Sequence, residues 1–267
     1  MIESLHLHPV DWGIVGPALL AALLVLATHV PLGRQVLRKG IVFIDLAIAQ
    51  IAGLGLIAAH TLGWEPQGWA VQATAMGAAA GGALLMTWME RRWPDVQEAL
   101  IGVLFVLASS LGILLLANNP HGGEHLQDLL VGQVLWVTPG QLQGMALLTA
   151  VLLALWFGLG DRLGRTGFYL LFAVAVTASV QLVGVYLVFI CLIMPALAVR
   201  HLPPRAATLA GWLTGGLGCL LGLCLSAMFD LPSGAVMVTC VALSSLVTAG
   251  LAPRGSKGVD APHSRAG

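Results

Sequence analysis

Charge is what this sequence has least of. Asp, Glu, Lys and Arg make up 9% of the 267 residues, against roughly 25% in an ordinary soluble chain. So few charges cannot clothe a surface that meets water on every side, and a soluble globular domain is excluded. The formal net charge is zero, which leaves no basic field for nucleic acid, and no nucleic-acid partner is expected. Cysteine is scarce too. Cys191, Cys219, Cys224 and Cys240 lie in apolar runs and form no C-x-x-C pair, which excludes a disulfide framework and zinc-finger spacing. Walker A, G-x-S-x-G and Gly-rich phosphate-loop patterns are missing, so the chain has no means of hydrolysing ATP and is not expected to be an enzyme. The N-terminus, M-I-E-S-L-H-L-H-P, lacks the positive n-region of a cleavable signal peptide, and the first apolar run is expected to remain a membrane span.

What is abundant is apolar surface. Hydrophobic residues reach 58% and the mean hydropathy is +0.92. Runs of ~20 apolar residues recur, each long enough to cross a ~30 Å hydrocarbon core. The expected fold is all-α: a polytopic transmembrane bundle of eight or nine segments over residues 1–252, embedded in the lipid bilayer. The tail over 253–267, rich in Gly, Pro, Ser and charge, is expected to be flexible.

The runs fall at about 12–31, 40–62, 68–89, 96–117, 143–160, 168–199, 207–229 and 235–252. Basic clusters follow several of them: Arg34, Arg38 and Lys39; Arg91 and Arg92; Arg162 and Arg165; Arg200 and Arg205; Arg254, Lys257 and Arg265. Lysine and arginine near span ends favour the cytoplasm. All five clusters share that side only if 168–199, with Gly184 in its middle, makes two passes. That gives nine segments, the N-terminus outside and the C-terminus inside. A single broken helix there gives eight. Residues 126–138, L-Q-D-L-L-V-G-Q-V-L-W-V-T, are too short to cross and read as a re-entrant or interfacial helix, with Trp136 suited to the headgroup zone. Small-residue stretches such as G-A-A-A-G-G from Gly77 to Gly82 predict close helix packing.

Against this background a few polar residues stand out. Residues 43–55 read F-I-D-L-A-I-A-Q-I-A-G-L-G. A carboxylate within a span costs roughly 2.5–3.5 kcal/mol on insertion scales and usually faces a cavity or a partner. Asp45 is therefore a candidate for a translocation path; the alternative is an interfacial acid paired with Arg38 or Lys39. Gln50 lies about 140° around the helix from it, so the two do not share a stripe on a regular helix. Glu98 opens the fourth span beside Arg91, Arg92 and Asp95; it reads as a first-turn acid paired with arginine, or as a path residue. Gln181 is a mid-span amide, either interhelical glue or part of the path. His121, Glu124 and His125 spell H-x-x-E-H. The peptidase chemistry of that pattern needs both imidazoles on one helix face, which Gly122 and Gly123 after Pro120 oppose. An external loop that holds a divalent ion, or a plain polar loop, are the readings left.

Five stretches in order resemble the integral-membrane permease of bacterial zinc/manganese/iron ABC importers. They are R-K-G-I-V-F-I-D-L-A-I-A-Q-I-A-G-L-G from Arg38, E-A-L-I-G-V-L-F-V-L-A-S-S-L-G-I-L-L-L from Glu98, D-L-L-V-G-Q-V-L-W-V-T-P from Asp128, V-G-V-Y-L-V-F-I-C-L-I-M-P-A-L-A-V-R from Val183, and L-S-A-M-F-D-L-P-S-G-A from Leu225. The resemblance implies a type II importer fold in the bacterial inner membrane, a homodimer, a separate ABC ATPase and a periplasmic metal-binding protein. It implies no permanently bound cofactor; the transported divalent ion is zinc first, manganese or iron otherwise. The family's D-x-x-x-H pair in the second span maps to Asp45 and Ala49, so the imidazole is lost and Gln50 is the nearest polar side chain. The family's cytoplasmic coupling segment is also shortened, which leaves Asp161, Arg162 and Arg165 as the ATPase contact. That shortening also suits a second reading, a gradient-driven metal transporter or channel without ATPase coupling.

Overall fold

The computed structural model describes residues 10–62, 64, 68–116 and 130–251. His121, Glu124, His125 and the tail from 252 onward lie outside the described residues, as do the side chains of His60 and Asp161. Nine α-helices form among the described residues: α1 Trp12–Lys39, α2 Ile44–Thr61, α3 Trp69–Arg92, α4 Gln97–Leu116, α5 Pro139–Leu159, α6 Gly164–Val183, α7 Val185–Ala198, α8 Pro204–Phe229 and α9 Ser233–Leu251. Seven of them are long and apolar enough to cross a membrane, while α2 and α7 are shorter apolar helices. The chain is a multi-pass membrane protein.

Local chemistry sets the helix ends. Asp11 caps α1, its Oδ1 accepting the Gly13 N–H at 2.8 Å. The same helix runs past the expected end near residue 31, carries Pro31 inside it, and stops at Gly40 in the left-handed region, φ 70°. Arg38 and Lys39 fill its last turn, where positive charge complements the helix dipole. Helix α5 starts four residues before the expected 143. Thr138 and Gln141 form a reciprocal capping box there, with Pro139 at the first helical position.

The stretch 168–199 is two helices. Gly184 ends α6 and begins α7. The basic clusters show how the chain runs. Lys39 donates to Glu90 Oε1 at 3.0 Å, and Arg165 Nε lies 3.8 Å from the same oxygen. The end of α1, the end of α3 and the start of α6 therefore meet at one end of the bundle. Arg34 donates to the Pro204 carbonyl and to Thr208 Oγ1, both at 2.6 Å, which brings the start of α8 to that end as well. Helix α7 returns toward it: Gly33 sits against the Leu192 carbonyl, and Gly211 against Pro195 and Val199. The chain thus turns back at Gly184, with the basic clusters of the described residues on a common end; seven long and two shorter apolar helices fit the expected eight or nine segments.

Helix α6 is central and largely buried, whereas α5 is peripheral and turns Leu147, Leu155 and Leu159 outward. The core joins Val25, Leu26, Ile44, Ile48, Phe172 and Leu187, all under 2% exposed. Helices α8 and α9 pack antiparallel at backbone distance, because Gly218 and Gly222 face Val241 and Met237. Of the expected re-entrant segment, the described part (130–138) enters the bundle: Val134 is buried, while Trp136 is exposed. Irregular backbone at that depth survives because protein, not lipid, surrounds it.

Candidate transport site

Asp45 is the second residue of α2 and is 1% exposed. Its Oδ1 has no hydrogen-bonding partner. Lys39, one of the two cations expected to neutralise it, is engaged by Glu90 instead. A buried charge left alone is expensive, so the position calls for a proton, an ion or a further chain.

Glu98 lies in the first turn of α4. The expected pairing with Arg91 or Arg92 is not formed; Glu98 Oε1 instead accepts the Phe43 N–H at 3.2 Å, and its Oε2 is buried without a partner. Phe43 is two residues before Asp45, so both carboxyl groups stand at the start of α2, near the basic end of the bundle. The preceding residue, Gln97, donates to the buried Tyr169 hydroxyl at 2.7 Å and ties α4 to α6.

Gln50 is turned elsewhere, as a 3.6-residue helix requires. It lines an open cavity of about 470 Å³ between α2, α4, α7 and α9, together with Phe105, Ser109, Tyr186 and Phe189. The walls are apolar except for the Gln50 amide, the Ser109 hydroxyl and the Tyr186 phenol. Ser109 and Tyr186 are additions that sequence reading missed. A single serine or tyrosine in an apolar helix carries no periodic signal.

Gln181 does not share that cavity. It lines a separate one of about 260 Å³ with Gln72, Gln133 and Gln141, from α3, the 130–138 segment and α5. Another imidazole also went unread. His29 of α1 is fully buried; its Nδ1 lies 2.9 Å from the Val25 carbonyl, and its Nε2 has no partner. Arg162 and Arg165 are exposed beside the short 3₁₀ turn Gly160–Leu163. Among the described residues, no three His, Cys, Asp or Glu side chains come together to hold a metal ion. The described residues of one copy therefore place no pair of further His, Cys or carboxylate side chains around Asp45 to complete a metal site.

Helices long and apolar enough to cross a bilayer, an enclosed acid at the start of the second helix and a turn-back at Gly184 define a multi-pass membrane protein with a buried carboxyl group. The chain belongs to the ABC 3 transport family, whose profile matches residues 12–163 and 157–251. It is 24% identical to the high-affinity zinc uptake system membrane protein ZnuB of Haemophilus influenzae, over 86% of this chain and 94% of that one. It is 25% identical to the manganese transport system membrane protein MntC of Halalkalibacterium halodurans, over 83% of this chain and 81% of that one. Its fold is similar to PsaBC from Streptococcus pneumoniae in complex with Fab, with a TM-score of 0.73, 19% identity and coverage of 89% of this chain and 91% of that one.

Proposed function

We propose that the chain is the permease subunit of an ABC importer for a divalent transition metal, zinc first and manganese or iron otherwise. It acts as a homodimer in the bacterial inner membrane. A separate ATPase powers alternating access, and a periplasmic metal-binding protein delivers the ion. The observation that carries this reading is Asp45, an enclosed carboxyl with an unpartnered oxygen in a chain of this family. A divalent ion leaving water needs compensating negative charge. A two-fold axis through the face bearing α2 supplies two copies of Asp45, and the Gln50 groove gives the passing ion neutral oxygen donors. Zinc and manganese stand among the substrates named for its relatives, which supports the metal class and leaves the choice between them to experiment.

The gradient-driven reading draws on one feature, the four-residue turn Gly160–Leu163 in place of a longer coupling segment. One experiment separates the two: metal accumulation in cells expressing the chain with and without its ATPase. Uptake that needs the ATPase supports the importer. Uptake that persists without it overturns the importer in favour of the gradient-driven transporter.

A further inference from the structure

At the basic end, α1, α5 and α8 enclose an open cavity of about 400 Å³ that the transport reading does not use. Arg34, Arg38 and Arg205 line it, with Trp156 and Trp212 as aromatic walls, and no acidic side chain is among its lining residues. Three positive charges therefore face one small volume. Arg34 is held rigidly by its bonds to the Pro204 carbonyl and Thr208 Oγ1, so little side-chain entropy remains to be lost on binding. A neighbouring cavity shares Arg38 and Trp156 and adds Lys39 and Arg165. Those two cations already face Glu90, whereas no ion pair among the described residues engages Arg34, Arg38 or Arg205.

The outer wall of this cavity continues into an exposed apolar surface. Leu209 belongs to the cavity and is also the first rung of a ridge on α8, followed at four-residue intervals by Leu213, Leu217 and Leu221, all exposed. Residues four apart share one helix face, so the ridge climbs from the arginines into the apolar zone. Arginine and tryptophan at such a level suit the headgroup region, and basic pockets between helices hold anionic headgroups. We infer that this cavity binds an anionic phospholipid, its phosphate among Arg34, Arg38 and Arg205 and one acyl chain along the Leu209–Leu221 ridge. The guanidinium fork matches phosphate oxygens in a bidentate fashion, and the leucine ridge distinguishes a lipid from a free anion.

The test uses the purified full chain in phosphatidylcholine nanodiscs. Phosphatidylglycerol is titrated in, and bound lipid is counted by native mass spectrometry after release. Arg38 and Arg205 are exposed, so Arg38→Gln with Arg205→Gln is expected to fold and to weaken phosphatidylglycerol retention roughly thirtyfold, on the order expected for two arginines near anionic lipid. Arg205→Gln alone, tested in parallel in case the pair does not fold, loses part of that. Arg91→Gln, on the same end but outside the cavity, changes nothing. Equal loss in Arg91→Gln reduces the effect to diffuse surface attraction and overturns the site. Displacement of the lipid by millimolar inorganic phosphate shows a free-anion site and overturns the lipid assignment. Crosslinking from position 205 to a co-purified ATPase makes the cavity a protein contact and overturns it too.

Discussion

Gly132 and Gly184 meet backbone to backbone. A Cβ on Gly132 would overlap the main chain of Val183, and one on Gly184 would overlap the amide of Gly132. Both glycines have positive φ, 74° and 83°. Gly184, with ψ 162°, occupies a region open essentially to glycine alone. This contact locks the 130–138 segment against the point where the chain turns back. Gly184→Ala is expected to cost about 3 kcal/mol or more, combining strain of roughly 1–3 kcal/mol with a backbone overlap that only movement relieves. Gly77→Ala is the control. Gly77 lies in α3 with open space around it, and alanine there is neutral or stabilises by up to about 1 kcal/mol. Thermal unfolding in detergent decides; equal melting of the two variants would show that the glycine contact is not structural.

Glu90 receives both Lys39 and Arg165, with side-chain exposures of 16%, 20% and 58%. The Lys39 contact is the short and sheltered one. Glu90→Gln is expected to destabilise by about 1 kcal/mol, near the top of the range for partly exposed pairs, and the loss shrinks as salt is raised. Arg165→Gln, at 3.8 Å and largely exposed, should do much less. A salt-independent effect of equal size in both variants would argue against an ion-pair role.

The basic clusters of the described residues share one end, and that end is predicted to be cytoplasmic. Single cysteines at positions 34, 91 and 162, in a background without the four native cysteines, should resist impermeant thiol reagents applied from outside. External labelling at 162 would reverse the topology.

These predictions rest on elements of unequal legibility. The spans could be read from length and hydropathy because an apolar run of that size has few fates. The turn-back at Gly184 was legible through charge, since only two passes leave Arg200 and Arg205 with the other clusters. The extension of α1 to Lys39 was not anticipated, although R-K-G carries a basic last turn followed by a terminating glycine. The T-P-G-Q start of α5 was likewise present in the sequence and passed over. The partner of Lys39 could not be found in sequence: Glu90 is 51 residues away and no local spacing relates them. For the same reason the separation of Gln181 from Gln50, and the gathering of four glutamines around one cavity, appear only once the helices are packed.

The Asp161–Gly167 stretch, the end of the 3₁₀ turn and the start of α6, is predicted to touch the ATPase, because it stands where the family's coupling segment lies and presents Arg162 and Arg165 outward. A photo-crosslinker at position 162 should capture the ATPase in a co-purified complex. Crosslinks that form only from other loops at the basic end, such as 91–96, would displace the contact from this turn.

The last prediction concerns Asp45 itself. Asp45→Asn keeps the volume and removes the charge. The wild-type Oδ1 lacks a hydrogen-bonding partner, so an uncharged amide should be no harder to bury than a carboxylate, and folding should survive. Transport should not: the negative charge that offsets the ion's desolvation disappears from both copies of a dimer, and uptake is expected to fall by at least tenfold, equivalent to about 1.4 kcal/mol at the limiting step. Gln50→Ala removes one neutral oxygen donor and should reduce uptake only a few-fold. Gln50→His places an imidazole in the same cavity and should favour zinc over manganese, because imidazole suits zinc better than an amide oxygen does. Uptake of radiolabelled zinc and manganese into liposomes containing the complex measures all three. If Asp45→Asn expresses normally and transports at the unmodified rate, Asp45 is a structural acid of the α2 start, grouped with Glu98, and the path runs along a different face of the bundle.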